Sequence, residues 1–327
     1  MNIPENIPMP RRRSQADIRL DANESPFNMP DSQYPDADML DLRERWGLHE
    51  RIPAQCIYLT SGTEEAVDLA MRIYAVYGRD SVLSVEPTRS VYRRRAMINR
   101  LEYRQVKLKD ETFALDVEAL LDAVSATTKV IFLCSPNSPT GNVLDKERLA
   151  DVLELFDGMV VVDESYIDYA PEFTCLELLN RYRNLIILRS FSHAWSLAGI
   201  RLAAVVARPE VTEGFRRIGW AHPVSSLTER EVLQMLPRRL DVDKWVRQTA
   251  NERVKVEVAL KELPECVKVY PSLANFVLVR FVDTMAVYKY LLANGIAVYP
   301  VCGCLRITIG LPLQNSALLG ALRRRVG

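Results

Sequence analysis

From about residue 50 to residue 206 short β-rich runs alternate with helical patterns, and no other feature restricts the fold of this chain as much. The runs 57–60, 82–85, 130–133, 159–162, 185–188 and 202–206 predict strands. Between them Ala66, Val67, Ala70, Met71, Ile73, Tyr74 and Tyr77 fall on one helical face, and 144–156 also predicts a helix. Successive strand, helix, strand units make a mostly parallel, doubly wound sheet covered on both faces, so the fold class is α/β. From Glu210 the texture changes to long amphipathic helices through Leu263. Short runs follow at 267–269, 275–279, 296–298 and 305–309, with a helix near 285–292. That pattern predicts a smaller α+β unit. The expected division is an arm over 1–42 that packs with the small unit, a large α/β domain over 43–209 and a small domain over 210–327. A cleft between the two domains is the expected ligand site.

Composition narrows the classes of function. The 42 Lys plus Arg cancel the 42 Asp plus Glu, so a nucleic acid or other polyelectrolyte partner is not expected. No apolar stretch approaches the roughly 20 residues of a membrane helix. The first residues carry three prolines before Arg11, Arg12 and Arg13 and no secretory core, so that triplet is expected to be a solvated arm. Six scattered cysteines in a chain of 327 residues point to reduced thiols and a cytoplasmic protein. Cys302 and Cys304 flank one glycine with no further ligand nearby, and no metal site is expected.

In an open parallel sheet ligands lie beyond the carboxyl ends of the strands. After the first run come Ser61, Gly62, Thr63, Glu64 and Glu65, which read either as a phosphate cradle at a helix start or as a capping box of Ser61 with Glu64. After 130–133 two prolines flank Asn137 and leave it a fixed amide donor. Asp163 ends a run of three valines, where a buried carboxylate is costly without a positive partner. The segment after 185–188 holds Ser190, Ser192, His193 and Arg201, of which the hydroxyls and the arginine suit a phosphate.

With these residues in this order the chain resembles the fold-type I pyridoxal-phosphate enzymes, and among them the histidinol-phosphate aminotransferase branch of the class I and II aminotransferases. The resemblance runs through 21–26, Tyr34 with Pro35, 61–65, 136–141, 163–168, 190–201 and 304–310. It implies a large cofactor domain with a smaller α+β domain, and pyridoxal or pyridoxamine phosphate as cofactor. Asp163 would pair with the ring nitrogen, and Asn137 and Tyr166 would hold the phenolic oxygen. Gly62, Thr63, Ser190, Ser192 and Arg201 would hold the phosphate. Tyr34 would reach that phosphate from the neighbouring subunit of a homodimer. Asn23 and Arg306 would meet an amino-acid or amine substrate, and Tyr166 and His193 would be the catalytic pair.

Three positions depart from that pattern. His193 stands where the family has the lysine that forms a Schiff base. Imidazole cannot form the imine, although its usual pKa of about 6.5 suits proton transfer. Cofactor is therefore expected to bind without a covalent link, and transamination to be impaired or altered. Arg89 replaces an aromatic residue that stacks on the cofactor, and Tyr299 replaces a substrate-binding arginine. The alternatives are a lyase or dehydratase using His193 as general base, as in certain sugar dehydratases, or a non-catalytic relative that keeps the fold.

Overall fold

The computed structural model describes residues 20–27 and 31–326 together with Met1, Ile7, Met9 and Ile18. Arg11, Arg12 and Arg13 lie outside the described residues.

A seven-stranded sheet is built from β1 (Ile57–Thr60), β2 (Ser81–Glu86), β3 (Glu102–Lys107), β4 (Thr128–Cys134), β5 (Met159–Asp163), β6 (Leu185–Ser190) and β7 (Ala203–Val206). Its order is β1-β7-β6-β5-β4-β2-β3. The pairings from β6 through β5, β4 and β2 to β3 are parallel, and β7 is antiparallel to both neighbours, so β1 runs the same way as β6. Within the central strands, side chains alternate between two cores. Ile131, Leu133, Val160, Val162 and Ile187 enter one, and Val130, Phe132, Val161, Ile186 and Leu188 enter the other. This two-residue period with both faces apolar is what a fully covered sheet requires.

The strand at 102–107 was not among the expected ones. It is the edge strand, its sequence reads Glu-Tyr-Arg-Gln-Val-Lys, and its side chains are exposed or half-buried. Charges there leave no apolar run to detect and protect the open edge from further pairing.

Helices α1 (Leu40–Glu50), α2 (Thr63–Tyr74), α3 (Ser90–Ile98), α4 (Val117–Asp122), α5 (Lys146–Leu155), α6 (Pro209–Ile218) and α7 (Ser226–Met235) surround the sheet. The long α8 (Arg239–Lys261) leads to a four-stranded antiparallel sheet of β8 (Cys266–Tyr270), β9 (Phe276–Phe281), β10 (Tyr299–Val301) and β11 (Cys304–Thr308), in the order β10-β11-β9-β8. Two further helices, α9 (Thr284–Ala293) and α10 (Pro312–Val326), pack on it. The run 296–298 is not a strand. Pairing begins at Tyr299, set by a turn at Cys302 and Gly303, which both have positive φ.

The change of texture at Glu210 does not end the large core. Val211 and Phe215 pack on one face of the large sheet, and Val224, Val232, Leu236 and Val242 on the other. Val256 and Leu260, on the same helix as Val242, belong to the core of the small sheet. The described part of the N-terminal segment meets α7, where Asp31 pairs with Arg230, and Met39 and Leu42 enter the large core. Among the described residues no helix is long and apolar enough to cross a membrane.

Candidate functional site

The loops that leave the carboxyl ends of β1, β2, β4, β5 and β6 emerge on one side of the sheet, where an α/β fold of this topology receives its ligand. Asp163 is the last residue of β5, in register with Cys134 and Leu188, and is fully buried. Its Oδ1 accepts from the Ser165 backbone N–H at 3.1 Å and from Ser165 Oγ at 2.5 Å. Its Oδ2 accepts from Tyr92 Oη at 3.0 Å and from Arg89 Nη1 in an ion pair. The positive partner that a buried carboxylate needs is therefore supplied within the chain. Burial opposes the charge on Arg89, but the Asp163 carboxylate raises its pKa overall.

Arg89 also joins the two ends of the site. Its Nη2 donates to Thr63 Oγ1 at 3.3 Å, at the first residue of α2. Gly62 caps that helix with a φ of 86° and no side-chain cap, so the helix start is open to an anion. A Cβ on Gly62 would lie 2.5 Å from Arg201 Nη2, so only glycine lets the guanidinium come this close to the helix start. The capping box expected of Ser61 with Glu64 does not form. Glu65 Oε2 instead accepts the Ser61 N–H at 2.5 Å, while Glu64 pairs with Arg94 and Arg95 of α3. Ser190 Oγ accepts the Ser192 N–H at 3.2 Å, and Arg201 itself has a φ of 56° and donates to the Ala198 carbonyl.

The ring of His193 stacks on Tyr166 with centroids 4.4 Å apart. Phe276 meets the same tyrosine edge-on at 5.3 Å. Burial pushes the His193 pKa down to about 4, helped by Arg89, Arg306 and Arg201 and opposed by Asp163. The imidazole is thus neutral at ordinary pH. Arg89 bridges Asp163 to Thr63, and Gly62 next to Thr63 lies against Arg201, so the acid and the arginine both border the start of α2.

Arg306, on β11, donates to Ser138 Oγ at 2.9 Å and lies over the rings of Phe276 and Tyr299. Tyr299 thus supports the arginine it neighbours in register. Asn137 gives its amide hydrogens to the Pro87 carbonyl at 2.9 Å and Thr140 Oγ1 at 2.7 Å, and accepts from Thr88 Oγ1. It ties the loop after β4 to the loop after β2, so a ligand would have to displace one of these bonds. Tyr34 is exposed and stacks on His222, centroids 5.0 Å apart. A cavity of about 640 Å³ lies alongside, walled by His222, Trp220, Ser61 and Arg201. Asn23 is exposed with a φ of 53° and takes no part in the hydrogen bonds that join the other residues. Reasoning from sequence missed Ser165 and Tyr92 as partners of Asp163; the spacing of Ser165, two residues on, was the only available signal.

The mostly parallel seven-stranded sheet with a smaller antiparallel domain is the fold of the fold-type I pyridoxal-phosphate transferases. The chain belongs to the class I and II aminotransferases, whose family model matches residues 12–321. It is similar to histidinol-phosphate aminotransferases of Parabacteroides distasonis, 40% identical, and Bacteroides fragilis, 38% identical, each match covering 94% of this chain and 91% of the relative. A histidinol-phosphate aminotransferase of Sinorhizobium meliloti, solved with pyridoxal-5'-phosphate, shares the fold at a TM-score of 0.84. That match is 21% identical and covers 91% of this chain and 84% of the other.

Proposed function

We propose that this chain is a histidinol-phosphate aminotransferase-like protein that binds pyridoxal or pyridoxamine phosphate without a covalent link and acts on an amino acid or related amine. Its transamination is impaired because His193 stands at the Schiff-base position. The observation that carries this reading is that Arg89 links the Asp163 carboxylate to Thr63 at the start of α2, where Gly62 lies against Arg201, so an acid and an anion-binding end share one site.

The donor set fits the cofactor at its phosphate end. The open start of α2 and the close approach that Gly62 allows to Arg201 suit a dianion, which the Ser190 and Ser192 hydroxyls would help to hold. Asp163 suits a protonated ring nitrogen, and Tyr166 with His193 would wall the ring. The bound ring supplies an electron sink for chemistry at the substrate α-carbon. Arg306 would take the substrate's carboxylate or phosphate. A neutral His193 holds a lone pair that can accept a proton, although a pKa near 4 makes it a weak base. The proposed assembly is a homodimer in which Tyr34 reaches the neighbouring site, in keeping with its exposure.

A non-catalytic relative is the second reading, and the Arg89–Asp163 ion pair favours it, because that pair leaves the acid satisfied with no ligand. Titration of the purified protein with both cofactor forms separates the two. Absorbance beyond the protein band that dialysis removes, with no mass gained after borohydride reduction, is expected. A colourless protein that ignores both forms would overturn the cofactor reading.

A further inference from the structure

We propose that Arg89 is a counter-ion built into the chain: it holds Asp163 in the cofactor-free protein, must leave when a cationic ring binds, and so sets how tightly the ring is held. The proposal rests on the reading of the site given above.

A carboxylate offers about four acceptor positions. Asp163 has four donors within the chain: the Ser165 N–H, Ser165 Oγ, Tyr92 Oη and Arg89 Nη1. A ring N–H arriving from a ligand finds no vacant lone pair, so one donor has to withdraw. Three of the four are poorly placed to do so. Ser165 is two residues along and buried, its amide fixed by the backbone turn, and Tyr92 is wholly buried and stacked on Phe132. Arg89 differs. Its side chain is 20% exposed while Asp163 is at 0%, and it caps α3 from a loop rather than lying inside an element. It is also the only one of the four that brings a charge, so it alone duplicates what a protonated ring nitrogen provides.

Two cations cannot both be neutralised by one buried carboxylate. Ring binding therefore costs the Arg89–Asp163 pair, and the guanidinium needs another partner. Thr63 Oγ1 at the start of α2 already holds its Nη2, and Ser165 Oγ accepts from Nη1 at 3.1 Å. The consequence is selectivity by charge. A ligand with phosphate but no cationic ring leaves the pair intact, and a ligand with both must compete with residue 89.

The test compares the native protein with Arg89→Leu and, because an isolated buried carboxylate could prevent folding, with Arg89→Gln, which keeps a donor. Dissociation constants are measured for three probes: pyridoxal phosphate, its analogue with carbon in place of the ring nitrogen, and inorganic phosphate. Pyridoxal phosphate is expected to bind the variants about tenfold tighter or more. The carbon analogue and phosphate are expected to bind all three proteins alike. Pyridoxal phosphate that binds the native protein and both variants equally, or the variants more weakly, overturns the role of Arg89 and leaves the cofactor reading standing. Binding to the variants alone supports the role of Arg89 and overturns the reading of the native chain as a cofactor protein. Failure of pyridoxal phosphate to bind any of the three, with phosphate still bound, overturns both.

Discussion

The ring of His193 lies on the ring of Tyr166 at a centroid separation of 4.4 Å and an interplanar angle of 23°. The stack fixes the plane of the imidazole against a buried tyrosine, which Phe276 meets edge-on. The His193→Lys variant would place an amine in the same surroundings. Three neighbouring guanidiniums would depress its pKa and keep it nucleophilic. Pyridoxal phosphate with borohydride should then add the mass of one cofactor to this variant and none to the native chain. No mass gain in the variant would mean that residue 193 does not face the cofactor.

Asp163→Ala removes the acceptor of four hydrogen bonds and strands the Arg89 guanidinium. Breaking a buried pair typically costs about 3–5 kcal/mol, and the partial exposure of Arg89 puts this case toward the lower end. Urea denaturation should show that loss, and titration should show weaker cofactor binding. Unchanged affinity would remove Asp163 from the site.

The low pKa of His193 makes stability depend on pH. The folded chain favours neutral imidazole, so its contribution is complete above the usual 6.5 and is lost as pH falls toward 4. Relative to His193→Gln, the native protein should lose up to about 3 kcal/mol over that interval. Asp168 acts in the opposite sense. Burial pushes its carboxyl up from 3.8 to about 6 against Arg189 and Arg239, so it costs the fold stability progressively as pH rises from 3.8 to about 6, and in full above that. Asp168→Asn should raise stability at neutral pH by about 1–3 kcal/mol. Chemical denaturation across the pH range checks both signs.

Gly62→Ala is predicted to act twice. A φ of 86° is unfavourable for alanine by about 1–3 kcal/mol, and the new methyl would press on Arg201. Affinity for inorganic phosphate should fall with it. A variant that binds phosphate normally would show that Arg201 and the helix start do not act together.

Much of the large sheet could be read in advance because its strands carry their burial in their composition. Met159 through Val162 is apolar on both faces, and the acid that follows marks where the strand meets the site. The edge strand at 102–107 carries no such mark, since half of its partners are missing and its side chains face water. Single-residue geometry was also hidden. Glu65 rather than Glu64 reaches Ser61 because Arg94 and Arg95 on α3 draw Glu64 away, and those residues are about thirty positions distant in the chain. The need of Asp163 for a cation was legible from its setting. That Arg89 meets the need depends on β2 and β5 being separated by only β4 in the sheet, and no local pattern reports strand order.

Helix α8 is 23 residues long and contributes Val242 to one hydrophobic core and Val256 and Leu260 to the other. It therefore acts as a shared beam rather than a tether. Neither lobe can lose its interior without freeing one end of that beam, so heat should dismantle both in a single calorimetric peak, and any opening of the cleft must be a flexing of the beam instead of a swing about a slack joint.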